Sequence, residues 1–177
     1  MFGKFRGIAL SGGVGFKMEM MNEERWQSYE RATGAICLAI GDGMDQVSRI
    51  KVVVDVLWEE FGEGCPVSWV GFYRLGEGEM VLGYCRDKPA CSPIGLHGAC
   101  GKVGLSGESL IVRDVRELGG AYISCDPRDL SEVVVPVYGR LGEVIGVLDV
   151  DSFSVGAFGL TDQVALEGIV AKFLGEI

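Results

Sequence analysis

The 177-residue chain has a single histidine, no two cysteines within four residues of each other, no cluster of lysines and arginines, and no apolar run long enough to span a bilayer. Each absence removes a class of function. Zinc sites are usually built from closely paired ligands, two cysteines separated by two to four residues, and no such pair occurs. Papain-like cysteine catalysis needs a histidine base, and His97 alone is available for it. Binding to a phosphate backbone needs a basic surface, whereas 25 acidic residues against 16 basic ones give a net charge of −9. Nucleic acid is therefore not an expected partner. Lys4 and Arg6 are followed by glycine-broken sequence rather than a signal-peptide core, so neither a membrane nor export is expected. A cytoplasmic protein is the expectation. In that compartment six cysteines point to thiols, buried or catalytic, rather than to structural bridges.

The length fits one domain, or one domain with an extension, and is enough to bury a core without disulfides. Twenty-eight glycines and 48% hydrophobic residues describe a packed sheet domain with many turns, not a disordered chain.

Residues 1–21 are rich in glycine and methionine, show neither helical nor strand periodicity, and read as an N-terminal extension. Asn22 is the expected N-cap of a helix from Glu23 to Ala39. A second helix is expected from Asp45, with Val47, Ile50, Val54 and Leu57 on one face. Residues 68–75 and 80–85 read as a hairpin. A glycine-dotted loop from Arg86 to Gly107 follows, with one short helix after Gly98. Leu110–Val112 is a short strand, and Val115–Leu130 is mostly loop. Glu132–Tyr138 and Val144–Val150 are the strongest strands, joined through Gly139-Arg140-Leu141-Gly142. Thr161 is the expected cap of a last helix carrying Leu166, Ile169, Val170 and Phe173. This order describes an α+β domain with a central antiparallel β-sheet flanked by helices.

Asp149 and Asp151 are two apart in extended sequence, so their side chains share a face. Glu132, at the start of the neighbouring strand, can add a third carboxylate. Three acids on one face suit an ammonium group, a metal ion or a shared proton, and crowding raises at least one pKa. Ordinary surface acids at a solvated strand end are the alternative, and spacing does not separate the two. Trp69, Gly71 and Tyr73 also share a face, either as two aromatics around a ligand slot or as plain core. Cys91, Cys100 and Cys125 lie in loops beside Pro, Gly or Asp, where reactive groups concentrate. Cys37, Cys65 and Cys85 read as structural or incidental. His97 reads as an exposed loop residue, with a place in a substrate pocket as the other possibility.

Several stretches together resemble the free methionine-(R)-sulfoxide reductases, small enzymes built on the GAF fold. They are Ser68-Trp69-Val70-Gly71-Phe72-Tyr73, Lys88-Pro89-Ala90-Cys91, Ala99-Cys100-Gly101, Ile123-Ser124-Cys125-Asp126, Ser131-Glu132-Val133-Val134-Val135-Pro136 and Gly146-Val147-Leu148-Asp149-Val150-Asp151-Ser152. They occur in the family's order across roughly residues 45–174. Leu96-His97-Gly98-Ala99-Cys100-Gly101 is one residue shorter than the family's glycine-rich stretch, and Tyr122 replaces a frequent histidine.

The resemblance implies a GAF-like catalytic domain over residues 22–177 that reduces free methionine-(R)-sulfoxide. Cys125 would be the nucleophile, Cys91 the principal resolving thiol and Cys100 a secondary partner. Glu132, Asp149 and Asp151 would hold the substrate's amino group and assist protonation of the sulfoxide oxygen, with Trp69 and Tyr73 lining the pocket. A thioredoxin-like dithiol would reduce the resulting disulfide. No metal or organic cofactor is implied, and a homodimer paired through helices is a reasonable expectation. A non-catalytic GAF sensor of a small ligand and a thiol redox switch are the alternatives.

Overall fold

The computed structural model describes residues 13–62, 66–119 and 125–175, with side chains from residue 23 onward. Helix α1 (Gly13–Ala39) and helix α2 (Gln46–Phe61) precede the hairpin β1 (Val67–Leu75) and β2 (Glu79–Arg86). A two-residue strand β3 (Ile94–Gly95), helix α3 (Ala99–Ser106) and strand β4 (Leu110–Val112) follow. After a 3-10 turn at Val115–Leu118 come β5 (Ser131–Tyr138), β6 (Val144–Ser152) and helix α4 (Leu160–Phe173). The six strands form one antiparallel sheet in the order β3-β2-β1-β6-β5-β4. The last strand is thus inserted between β1 and β5, at the centre of the sheet.

Strand alternation sorts the side chains onto two faces. Val70, Phe72, Val133, Val135, Leu148 and Val150 meet α1, α2 and α4 in the main apolar core. Trp69, Tyr73, Val134 and Val147 face the other way, toward Ala99, Cys100 and Val103 of α3. Each buried valine or leucine contributes roughly 1.5–3 kcal/mol through removal of apolar surface from water. The helix-covered side therefore holds the fold, and the α3 side is free to carry polar groups.

Two helix starts and one residue of a helix face differ from the sequence expectation, while α2 begins from its cap Asp45 as expected. The first helix starts at Gly13, nine residues before Asn22, which lies within it. Lys, Met and Glu in that stretch favour helix by intrinsic propensity, which periodicity does not register. Residues 1–12 lie outside the described residues. In α2, Asp45 accepts from the Ser48 N–H at 3.0 Å, and the buried stripe is Ile50, Val53, Val54, Leu57 and Phe61. Val47 is 60% exposed, because the first turn carries the cap rather than the core. Helix α4 is capped at Gly159, not at Thr161: the Asp162 carboxylate reaches back to accept the Gly159 N–H at 2.8 Å. The same carboxylate accepts from Tyr29 Oη at 2.8 Å and Arg25 Nε at 2.6 Å, tying α4 to α1. Strand β3 lies within the segment expected to be loop.

Candidate active site

Cross-strand register assembles the acids. Asp151 stands opposite Trp69 of β1 on one side and Glu132 of β5 on the other. Asp149 stands opposite Gly71 and Val134. Glu132 and Asp149 are buried, with 3% and 6% of their surface exposed, so they are not acids of a solvated strand end. Asp151 lies within β6 and is partly exposed. One oxygen from each of the three carboxylates lies within 4.8 Å of the others. An all-oxygen set of this kind suits an ammonium group or a hard cation. Among the described residues Asp149 Oδ1 is buried without a hydrogen-bond partner. A buried carboxylate oxygen left unpaired is costly, and it marks where a donor from a ligand fits.

Trp69 and Tyr73 flank Gly71, but the space over the glycine is not an open slot. A Cβ at Gly71 would fall 2.1 Å from the Trp69 ring, so the indole itself fills the gap. The two rings are tilted, with centroids 5.9 Å apart. Trp69 Nε1 donates to the Lys88 carbonyl at 2.9 Å, and Tyr73 Oη donates to the Cys91 carbonyl at 2.8 Å. Both aromatics therefore wall the site and fasten the Cys91 loop to the sheet.

The cysteines separate by position. The Cys91 N–H donates to Cys125 Sγ at 3.3 Å, so two exposed loops thirty-four residues apart in sequence meet at these residues. Cys100, in the first turn of α3, is buried and donates to Asp149 Oδ2 at 3.0 Å. The first helical turn fits tightly: a Cβ at Gly101 would fall 2.2 Å from the Leu96 backbone. Cys85 Sγ donates to the Lys88 carbonyl at 3.5 Å, and Cys37 is exposed on α1. Cys65 and Tyr122 lie outside the described residues. His97 is exposed and lines the cavity.

Sequence reasoning assigned no role to the charged groups around the Cys125 turn. Lys88 Nζ lies 2.6 Å from Asp126 Oδ2, and Arg128 Nη2 lies 2.7 Å from the same oxygen. Asp129, buried, accepts from Ser68 Oγ at 2.7 Å. The available signal was local: a lysine three residues before one cysteine and an aspartate directly after another.

Burial and mutual repulsion decide the protonation states. Asp149 is pushed up to about 7, first by loss of solvent and then by Asp129, against the opposing hydrogen bond from Cys100. Asp151 is raised well above the usual carboxylate range by burial, and further by Asp149 and Glu132. The Cys125 thiol is pushed up to about 12, first by partial burial and then by the Cys91 side chain. Burial and the adjacent Asp149 raise Cys100 well above the ordinary thiol value. At neutral pH the site thus holds protonated thiols and carboxylic acids able to donate a proton.

All eight residues singled out from the sequence, Trp69, Tyr73, Cys91, Cys100, Cys125, Glu132, Asp149 and Asp151, line one cavity of about 260 Å³. No family model matches the chain. A free methionine-R-sulfoxide reductase of Saccharomyces cerevisiae is 31% identical over 143 residues, covering 77% of this chain and 78% of the yeast protein. The reduced form of fRMsr from Staphylococcus aureus superposes with a TM-score of 0.75 at 30% identity, over 83% of this chain and 92% of that one. A free methionine-R-sulfoxide reductase of Neisseria meningitidis, solved in complex with its substrate, gives 0.72 at 30% identity over 88% of both chains. A solved GAF domain gives 0.68 at 29% identity, again over 88% of both. With its fold and the extent of these likenesses, the chain belongs to the free methionine-R-sulfoxide reductase family of oxidoreductases, built on the GAF fold.

Proposed function

We propose that the protein reduces free methionine-(R)-sulfoxide to methionine, with Cys125 as the nucleophile. The observation that carries this reading is the meeting of Cys125 and Cys91 at a cavity also lined by three carboxylates. The acids supply the two things the reaction needs from them. Ionised, they hold the substrate's ammonium group. Protonated, as burial keeps Asp151 and part of Asp149, they donate to the sulfoxide oxygen. A methionine inside a polypeptide lacks the ammonium group, which accounts for selectivity toward the free amino acid. Trp69 and Tyr73 offer an apolar wall to the sulfur and its methyl group.

In the first step Cys125 sulfur attacks the sulfoxide sulfur, and a carboxylic acid protonates the oxygen. The substrate's S–O bond breaks, the new bond between the two sulfurs opens again, and methionine leaves. The oxygen passes to Cys125 as a sulfenic acid, and the thiol proton replenishes the carboxylate. Cys125 is oxidised by two electrons and the substrate is reduced by two. Cys91 then attacks the sulfenic sulfur, forming the disulfide and releasing water. Cys100, buried and committed to Asp149, is the secondary partner. A thioredoxin-like dithiol protein reduces the bridge, in keeping with a reducing cytoplasm. Among the described residues no helix is long and apolar enough to cross a membrane. Exposed Trp26, Leu160 and Val164 on α1 and α4 support pairing of two copies through these helices.

The test is methionine formation from the free R epimer with a dithiol reductant, and the S epimer as control. Turnover confined to the R epimer and lost in Cys125→Ser supports the reading. Turnover of neither epimer favours a ligand-sensing GAF domain or a redox switch.

A further inference from the structure

Resolution of the Cys125 sulfenic acid requires the Cys91 loop and the Cys125 loop to stay together while Cys125 changes its chemistry. The Cys91 N–H···Sγ contact cannot guarantee this, because that sulfur is the atom being oxidised. A second link joins the same two loops beside it. Lys88, three residues before Cys91, lies 2.6 Å from the carboxylate of Asp126, the residue after Cys125. The pair is partly shielded from water, with side-chain exposures of 25% and 12%, so solvent screens it less than a fully exposed ion pair. The Lys88 backbone is held by Trp69 Nε1, and its ammonium lies 4.5 Å from the Phe153 ring, just beyond β6. The Lys88 end of the link is thus anchored on the sheet through both its backbone and its ammonium.

We infer that Lys88 is a positioning residue for disulfide formation, its ion pair with Asp126 clamping the Cys91 loop against the Cys125 turn. The inference rests on the reductase reading above. The attack by Cys91 is intramolecular, and the clamp keeps it close and oriented, which is where such steps gain most of their rate. Cys91 sulfur attacks Cys125 sulfur, the S–O bond breaks, and water leaves with the Cys91 proton. Lys88 is not among the residues that line the cavity. Arg128 supplies an internal control: it also pairs with Asp126, at 2.7 Å, but from two residues along the same turn. Removing Arg128 strips a positive charge from Asp126 without cutting the link between loops.

The experiment follows both half-reactions in a single turnover of reduced protein, separating methionine release from formation of the Cys91–Cys125 disulfide. Lys88→Ala is expected to slow disulfide formation by about tenfold or more, with a sulfenic acid that dimedone traps, and to leave methionine release within about twofold of wild type. Lys88→Arg restores the rate, and Arg128→Ala stays near wild type. Asp126→Asn, a shape-conserving change on the other side of the link, slows the step as Lys88→Ala does, and the double variant is no slower than either single one. Disulfide formation at the wild-type rate in Lys88→Ala overturns the clamp, and so does an Arg128→Ala variant equally slow. If wild type forms no methionine, the reductase reading fails separately. Hydrogen peroxide, which converts the Cys125 thiol to the sulfenic acid with release of water, then starts the second step without the sulfoxide, and the same comparison of variants decides the clamp.

Discussion

The Cys100 thiol donates a hydrogen bond to Asp149 Oδ2 at 3.0 Å, inside the cavity and away from solvent. That bond stabilises the ionised form of Asp149 and holds its pKa lower than burial alone would set it. Cys100→Ala is therefore expected to push Asp149 further up, moving the alkaline limb of the pH–rate profile to higher pH. The Cys91–Cys125 disulfide should still form, as peptide mapping would show. A limb that moves to lower pH, or a lost disulfide, would assign Cys100 a different role.

Cys91 acts on the Cys125 thiol in two opposing ways. The Cys91 side chain raises the Cys125 pKa, whereas its backbone N–H lowers it. Cys91→Ala removes the first and keeps the second, so Cys125 should titrate below about 12 in the variant. The pH dependence of iodoacetamide alkylation at Cys125 measures this directly. The same variant should complete one turnover of methionine release and then stop as the sulfenic acid.

Asp149 makes stability depend on pH with a definite sign. Its folded pKa, about 7, lies above the ordinary 3.8, so between these values the folded state binds more protons than the unfolded state. The stabilisation is complete below about pH 4 and is lost as pH rises through 7. Asp149→Asn removes that titration and also eases the repulsion on Asp151, which acts with the same sign. Denaturant unfolding at pH 5 and pH 8 should show wild type losing stability relative to the variant, by about 1.4 kcal/mol for each unit of pKa separation crossed. A constant difference across that range would mean that Asp149 is ionised in the folded state throughout.

Gly71→Ala probes the wall. The new Cβ would meet the Trp69 ring at 2.1 Å, and the indole must move. Moving it breaks the hydrogen bond to the Lys88 carbonyl that holds the Cys91 loop. A cost of roughly 1–3 kcal/mol is expected from overpacking, with a shift in tryptophan fluorescence and impaired disulfide formation. Unchanged fluorescence would show that the ring accommodates the methyl group without leaving its place.

Much of the site was legible in the sequence because strand geometry is periodic. Asp149 and Asp151, or Trp69, Gly71 and Tyr73, need only a spacing of two to share a face. What lay over Gly71 was not legible, since which ring fills the space depends on a rotamer packed in three dimensions. The helix ends were misread for a related reason. Thr161 fits a cap by type, yet Asp162 takes the role because Arg25 and Tyr29 of α1 converge on its carboxylate. The start of α1 before Asn22 follows intrinsic propensity, which leaves no apolar stripe to recognise.

By itself the sequence determined the fold class, the shared faces of the sheet and the residue types available for thiol chemistry, because these follow from local periodicity and side-chain chemistry. Only the tertiary structure decided which thiol meets which. Cys91 lies beside Cys125, while Cys100 is turned onto Asp149, although sequence separation would place Cys100 nearer to Cys125. It also decided that Asp151, and Asp149 in part, keep their protons, since desolvation arises only when β6 is enclosed between β1 and β5 with α3 packed over that face.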